Sequence, residues 1–228
     1  MVQRKMQTSS SPVIKGLYAL TPDSINTDDL LYRVRLALAG GVQILQYRNK
    51  IASAEMRMTQ AHALRKMTCD FGVTFIVNDD AHLAALVDAD GVHLGATDGE
   101  IKAARAILGS DKMIGVSCYN KLALAHDAVN AGADYVAFGA FYASSVKPDA
   151  AVATVQLLRT ARSELDLPIV AIGGINEHNG AVLAQAGADA IAVISAVFDA
   201  SDIQQAAKNL IKTFGYKRYD NFTQSGTF

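Results

Sequence analysis

The sequence has no tryptophan, 4 prolines and 2 cysteines in 228 residues. Cys69 and Cys118 lie far apart, so they make neither a metal-spaced pair nor a disulfide framework. Charge of one sign is also missing: 21 Lys plus Arg stand against 22 Asp plus Glu, a formal net charge of −1. A nucleic-acid binder carries surplus Lys and Arg on one face, so no nucleic-acid partner is expected. The balance argues equally against an acidic disordered chain. No run approaches the ~20 uninterrupted apolar residues of a membrane span, which predicts no membrane partner. Residues 1–11 contain no apolar run that could serve as a signal peptide. A soluble, cytoplasmic protein is the expectation.

What is present is aliphatic: half of the residues are hydrophobic, enough for a large core. Short β-branched or aliphatic runs at 17–20, 42–47, 73–77, 91–94, 113–116, 135–138, 169–172 and 190–194 read as strands. Longer Ala-rich runs between them, at 28–39, 53–71, 81–87, 99–108, 121–131, 154–164, 176–186 and 201–213, carry helical periodicity. Nearly unbroken apolar strands are those of a parallel sheet covered on both faces. Strand–helix alternation implies βαβ units, and eight pairs in about 200 residues suit a compact (β/α)8 TIM barrel, α/β in class. An echo supports closure. Ala39-Gly40-Gly41-Val42, Asp88-Ala89-Asp90-Gly91, Asn130-Ala131-Gly132-Ala133-Asp134-Tyr135 and Gln185-Ala186-Gly187-Ala188-Asp189-Ala190 recur at alternate helix-to-strand turns, as quarter-barrels would give. No G-x-G-x-x-G follows the first strand, which weakens a dinucleotide-binding open sheet. The expected division is a polar extension over 1–15, a single barrel domain over 16–213 and a tail over 214–228. The tail's Tyr216, Tyr219, Phe222 and Phe228 read either as a frayed end or as an arm docking on a second copy, which leaves a homo-oligomer open.

In such barrels the site forms at the carboxyl ends of the strands. The residues there are Gln46-Tyr47-Arg48-Asn49-Lys50, Asn78-Asp79-Asp80, Gly95 with Asp98, Ser117, Ser144-Ser145-Val146-Lys147, Gly173-Gly174 and Ile194-Ser195. Asp79 and Asp98 end neighbouring strands. Each alone reads as a helix N-cap. Together, beside Arg48, Lys50 and Lys147, they suit a hard cation such as Mg2+, held by one or two carboxylates and substrate phosphates. The three cations suit a diphosphate. Gly173-Gly174 and Ile194-Ser195 fall where these barrels bind phosphate. Two phosphate-binding areas across one mouth suggest the joining of two phosphorylated substrates. Cys118 has no activating base in the sequence and reads as packing. His62, His82, His126 and His178 fall in helical stretches, and His93, at a strand end, is the plausible site neighbour.

These ordered motifs resemble the thiamine-phosphate synthase family over about residues 16–213: Gln46-x-Arg48-x-Lys50, Asn78-Asp79-Asp80, Gly91-Val92-His93-Leu94-Gly95 with Asp98, Gly115-Val116-Ser117, Lys147, Ile172-Gly173-Gly174-Ile175 and Ile194-Ser195. The resemblance implies that an aminopyrimidine methyl diphosphate is joined to a thiazole phosphate, giving thiamine phosphate and diphosphate. It implies that Gln46, Arg48, Lys50, Asn78, Ser117 and Lys147 hold the pyrimidine diphosphate, with Tyr47 and Asn49 in the same segment. Asp79 and Asp98 would bind Mg2+, and Ser144, Ser145, Val146, Gly174, Ile194 and Ser195 the thiazole phosphate. Arg48, Lys50, Ser117 and Lys147 would serve catalysis. The chain reads Ala143-Ser144-Ser145-Val146-Lys147 where the family usually has Pro-Thr-x-Thr-Lys, so Val146 brings no side-chain donor. The sister thiazole tautomerases would want a histidine after Ser117, where Cys118 stands. A non-catalytic phosphate-binding barrel is the alternative outside enzymology.

Overall fold

The computed structural model describes residues 13–95, 101–143 and 152–215. Eight parallel strands close in sequence order: β1 (Gly16–Leu20), β2 (Ile44–Tyr47), β3 (Thr74–Asn78), β4 (Gly91–Leu94), β5 (Met113–Tyr119), β6 (Tyr135–Phe138), β7 (Ile169–Ile172) and β8 (Ala190–Val193). The helices around them are α1 (Thr27–Ala39), α2 (Ala54–Phe71), α3 (Ala81–Leu86), α4 (Ile101–Leu108), α5 (Leu122–Asn130), α6 (Val155–Glu164), α7 (Gly180–Gln185), α8 (Ser195–Phe198) and α9 (Ile203–Gly215). The expected (β/α)8 barrel is present, with every neighbouring strand pair parallel.

Strand side chains alternate between two cores. Leu17, Leu45, Phe75, Val92, Ile114, Val136, Ile169 and Ile191 pack outward beneath the helices. Tyr18, Ile44, Ile76, Tyr135, Val170 and Ala190 fill the barrel interior. A side chain such as Phe75, fully buried, contributes about 2–3 kcal/mol to the outer layer. Helix starts are fixed by side-chain caps: Asn26 accepts from the Asp29 N–H, Ser53 from Met56 and Thr154 from Leu157.

The sequence echo has a physical cause. At each of four alternate turns a residue with positive φ (Gly41, Asp88, Gly132, Gly187) is followed by a small or β-branched residue and then an acceptor. The acceptors are Gln43, Asp90, Asp134 and Asp189. They take the N–H of Leu17, Phe75, Ile114 and Ile169 at 2.7, 2.8, 2.7 and 2.9 Å respectively. Each therefore ties the start of an odd strand to the even strand that follows. An arginine from the preceding helix completes three of the four: Arg65 to Asp90 at 3.0 Å, Arg105 to Asp134 at 2.6 Å and Arg162 to Asp189 at 3.0 Å. Gln43 is the neutral version of the device.

Several elements differ from the sequence reading, among them the last helix, which runs on to Gly215 and buries Phe214 where a tail is expected. The helix expected over 176–186 begins only at Gly180. Ahead of it, the Asn179 carboxamide accepts from the Asn176 N–H, and Asn176 accepts from the His178 N–H. Such local side-chain bonds satisfy the backbone without a helix. Strand β5 runs on to Tyr119, with a register shift between Ser117 and Tyr119. The four-residue α8 was not anticipated.

Candidate active site

Inward positions at the carboxyl ends of the strands surround a central cavity of about 420 Å³. Tyr18 of β1, Gln46 of β2, Asn78 of β3, His93 of β4 and Ser117 of β5 line one side, and Gly173, Gly174, Ile194 and Ser195 the other. A second cavity of about 650 Å³ lies alongside, lined by Arg48, Lys50, Arg57, Asn78, Asp79, Asp80 and His82 together with residues of α4. Arg48 and Asn78 line both. One chamber is thus mostly apolar with a few polar groups, and the other carries most of the charge.

Loops from neighbouring strands hold the cationic side. The Thr21 hydroxyl donates to the Arg48 carbonyl at 2.8 Å and accepts from the Arg48 N–H at 2.9 Å. Asp23 Oδ1 lies 3.3 Å from the Arg48 guanidinium and accepts the Lys50 N–H at 2.8 Å. Asp23 was not a sequence candidate, because a carboxylate on the first loop gives no signal until the loops are seen stitched together. Arg57 is a second addition. Its guanidinium lies 4.0 Å from the Asp80 carboxylate, and its buried Nε has no hydrogen-bond partner among the described residues.

Tyr47 and Asn49 line the second cavity, but their polar atoms are used within the protein. The Tyr47 hydroxyl donates to Gln60 Oε1 at 2.9 Å. The Asn49 amide donates to the Ser24 carbonyl at 2.6 Å and to Gln60 at 2.9 Å, and its oxygen accepts from the Ala52 N–H. They brace the Arg48–Lys50 segment. Tyr47 alternates with Gln46, so one strand puts its amide in the barrel and its phenol under the helices.

Asp79 follows β3 with φ 62, and its Oδ2 accepts from the Asn78 amide at 2.5 Å. It is not the cap of α3: Asp80 is, accepting from the Leu83 N–H at 2.8 Å. The capping explanation thus passes to Asp80 and leaves Asp79 on the wall of the charged cavity. No cluster of three or more potential metal ligands occurs among the described residues. Mg2+ needs none, since it takes one or two carboxylates and completes its shell with water and substrate phosphate. A hard carboxylate on a wall shared with Arg48, Lys50 and Arg57, in a chamber roomy enough for a diphosphate, fits that ion. Asp98, Ser144, Ser145, Val146 and Lys147 lie outside the described residues.

Along the cavity floor, Gln46 Nε2 donates to the Tyr18 hydroxyl at 2.7 Å, and the Tyr18 and Tyr135 hydroxyls are 3.0 Å apart. Tyr135 lies 3.0 Å from His93 Nδ1, and His93 Nε2 lies 2.9 Å from Ser117 Oγ. Burial lowers the His93 pKa to about 4, so the ring is neutral. Burial raises both phenols well above their ordinary value. Gln46 Oε1 is buried without a partner among the described residues. Cys118 points into the outer core, and burial pushes its thiol up to about 12. It is no nucleophile.

Residues 17–197 match the family described as thiamine monophosphate synthase. The chain belongs to this family. It is 54% identical over 209 residues to a thiamine-phosphate synthase of Methylobacillus flagellatus, covering 92% of this chain and all of the relative. It is 53% identical to that of Thiobacillus denitrificans, over 87% of this chain and 94% of the relative. Among solved structures, a thiamine phosphate pyrophosphorylase from Pyrococcus furiosus superposes with TM-score 0.80 at 35% identity, over 88% of this chain and 96% of that one. The family assignment makes the chain a transferase of thiamine biosynthesis. No helix among the described residues is long and apolar enough to cross a membrane.

Proposed function

We propose that this thiamine-phosphate synthase joins an aminopyrimidine methyl diphosphate to a thiazole phosphate by a dissociative displacement, with the two cavities dividing the work. The observation that carries this is their sharing of Arg48 and Asn78: the mostly apolar chamber suits two heteroaromatic rings, and the charged one suits a diphosphate. Gln46 Oε1 then accepts from the pyrimidine's amino group. Arg48 and Lys50, with Lys147, take up charge as the bond from the methylene carbon to the diphosphate oxygen breaks and its electron pair leaves with diphosphate. The ring-stabilised cation is captured by the thiazole nitrogen, whose lone pair forms the new carbon–nitrogen bond. Gly174, Ile194 and Ser195, with Ser144, Ser145 and Val146, anchor the thiazole phosphate so that this nitrogen is in reach. Asp79 and Asp98 hold Mg2+, which when bound offsets the negative charge of the diphosphate. No protein nucleophile is needed, in keeping with the inert Cys118 and neutral His93.

The test is a coupling assay with both substrates, following thiamine phosphate and diphosphate with Mg2+ and with EDTA. Stoichiometric appearance of both products only with the metal is expected. Product formation unaffected by chelation would overturn the metal assignment, and diphosphate release without coupling would overturn the condensation.

A further inference from the structure

We propose that the buried chain Gln46–Tyr18–Tyr135–His93–Ser117 has one hydrogen-bond polarity, presenting an acceptor at Gln46 and a donor at Ser117, and that it selects an amino- over an oxo-pyrimidine. The selection rests on the reading above, in which the pyrimidine's amino group meets Gln46. The polarity follows from counting protons along the chain.

Gln46 Nε2 can only donate, and it donates to the Tyr18 hydroxyl. The other partner of the Tyr18 hydroxyl is Tyr135, so the Tyr18 proton goes there. Among the described residues Tyr135 then has one remaining partner, His93 Nδ1, and donates to it. With Nδ1 an acceptor and the ring neutral, the His93 proton sits on Nε2 and is donated to Ser117 Oγ. The Ser117 hydroxyl proton is left for the cavity, which both Ser117 and Gln46 line. Every member but Ser117 is buried: Gln46 is 2% exposed, Tyr18 1%, Tyr135 0% and His93 8%.

Because the middle links each carry a single proton, no one bond can be reversed alone without facing two buried donors or two buried acceptors. The only other consistent arrangement turns the Gln46 amide over, moves the His93 proton to Nδ1 and reverses all four bonds. Both ends then change character together. A 4-oxo group in place of the amine sets an acceptor against Gln46 Oε1, and binding it requires that whole reversal. The fold makes room for the central link. A Cβ on Gly115 would stand 2.0 Å from Cζ of Tyr135, so β5 is hollowed where the ring crosses it beneath Ser117.

Tyr18, Tyr135 and His93 are thus positioning residues, and Tyr135→Phe cuts the chain at its centre. The measurements are KM for the pyrimidine diphosphate and Ki for its 4-oxo analogue, in the wild type, Tyr135→Phe and Gln46→Ala. Nitrogen-15 shifts of His93 report its tautomer. We expect wild-type discrimination on the order of 100-fold or more. In folded Tyr135→Phe the ratio should fall by about tenfold, because the Gln46 amide can then turn over alone. His93 should carry its proton on Nε2 in the wild type. An unchanged ratio in a folded Tyr135→Phe, or a wild-type Nδ1–H tautomer, overturns the proposal. If Tyr135→Phe does not fold, Tyr18→Phe and the wild-type tautomer decide in the same way. Should Gln46→Ala leave KM for the pyrimidine diphosphate unchanged, the underlying site reading fails. Should it raise KM while Tyr135→Phe keeps the ratio, the chain alone is refuted.

Discussion

The Asn78 amide donates to Asp79 Oδ2 at 2.5 Å, and Asp79 itself sits at φ 62. The neighbour's side chain and the left-handed backbone together aim one carboxylate along the wall it shares with Arg48 and Lys50. Asn tolerates left-handed φ, so Asp79→Asn removes the charge while keeping the turn. We expect Tm to change little and kcat to fall at least about a hundredfold, some 3 kcal/mol of transition-state stabilisation. Turnover measured over a Mg2+ titration checks it, and near-wild-type rates at limiting metal would remove Asp79 from the metal site.

His93 gives a pH dependence with a defined sign. Its pKa falls from 6.5 to about 4 on folding, because the neutral ring is buried. Between those values the unfolded chain binds a proton that the folded one does not, so acid favours unfolding. The contribution is fully present above pH 6.5, is lost as pH falls toward 4, and totals about 3 kcal/mol. His93→Gln should flatten that part of the stability curve relative to the wild type. Denaturant melts from pH 7 to pH 4 measure the difference, and parallel curves would contradict the burial.

The barrel was legible because its signals are local. Eight apolar runs and the Gly/Ala-Asp echo reflect strands covered on both faces and a repeated turn whose acceptor ties strand pairs together. Less visible were features decided by tertiary contacts. Four residues of α8 carry no period to detect, and the start of α7 is set by Asn176 and Asn179 bonding locally. The sequence order of motifs placed Arg48, Lys50, Asn78, Asp79, Ser117 and Gly174 at the strand ends where the cavities lie. It could not divide Gln46 from Tyr47, since adjacent strand residues differ only in face. Tyr18 and Tyr135 read as ordinary apolar strand positions, and their hydroxyls matter only once β1 and β6 meet across the barrel.

The quarter-barrel ties predict stability effects at the end of the barrel away from the site. Asp134 accepts the Ile114 N–H and pairs with Arg105 at 2.6 Å. Asp134→Ala should cost about 1–3 kcal/mol by leaving the Ile114 N–H without its side-chain acceptor and Arg105 without its counter-ion, which for a chain of this size is about 2–4 °C of Tm per kcal/mol. Asp134→Asn keeps an acceptor and should cost less. Both should keep wild-type kcat. A scan paired with initial rates tests this, and a loss of rate without loss of Tm would contradict it.

Backbone strain and contact with substrate can be separated at Gly174. Its φ is +61, and a Cβ there would stand 2.5 Å from the Ala143 carbonyl oxygen and 2.7 Å from that of Tyr142. Gly72, which ends α2, has nearly the same φ of +67 but nothing within 4 Å of a Cβ. Alanine at either position bears the left-handed penalty, about 1–2 kcal/mol. Only at Gly174 must a neighbouring segment also move, and that segment borders the place proposed for the thiazole phosphate. Gly72→Ala should therefore lower Tm and leave both KM values unchanged. Gly174→Ala should raise KM for the thiazole phosphate about tenfold, the loss of roughly one charge-assisted hydrogen bond, with KM for the pyrimidine diphosphate within about twofold of wild type. If the two variants prove alike in kinetics as well as in Tm, Gly174 is a turn residue and no part of the phosphate site.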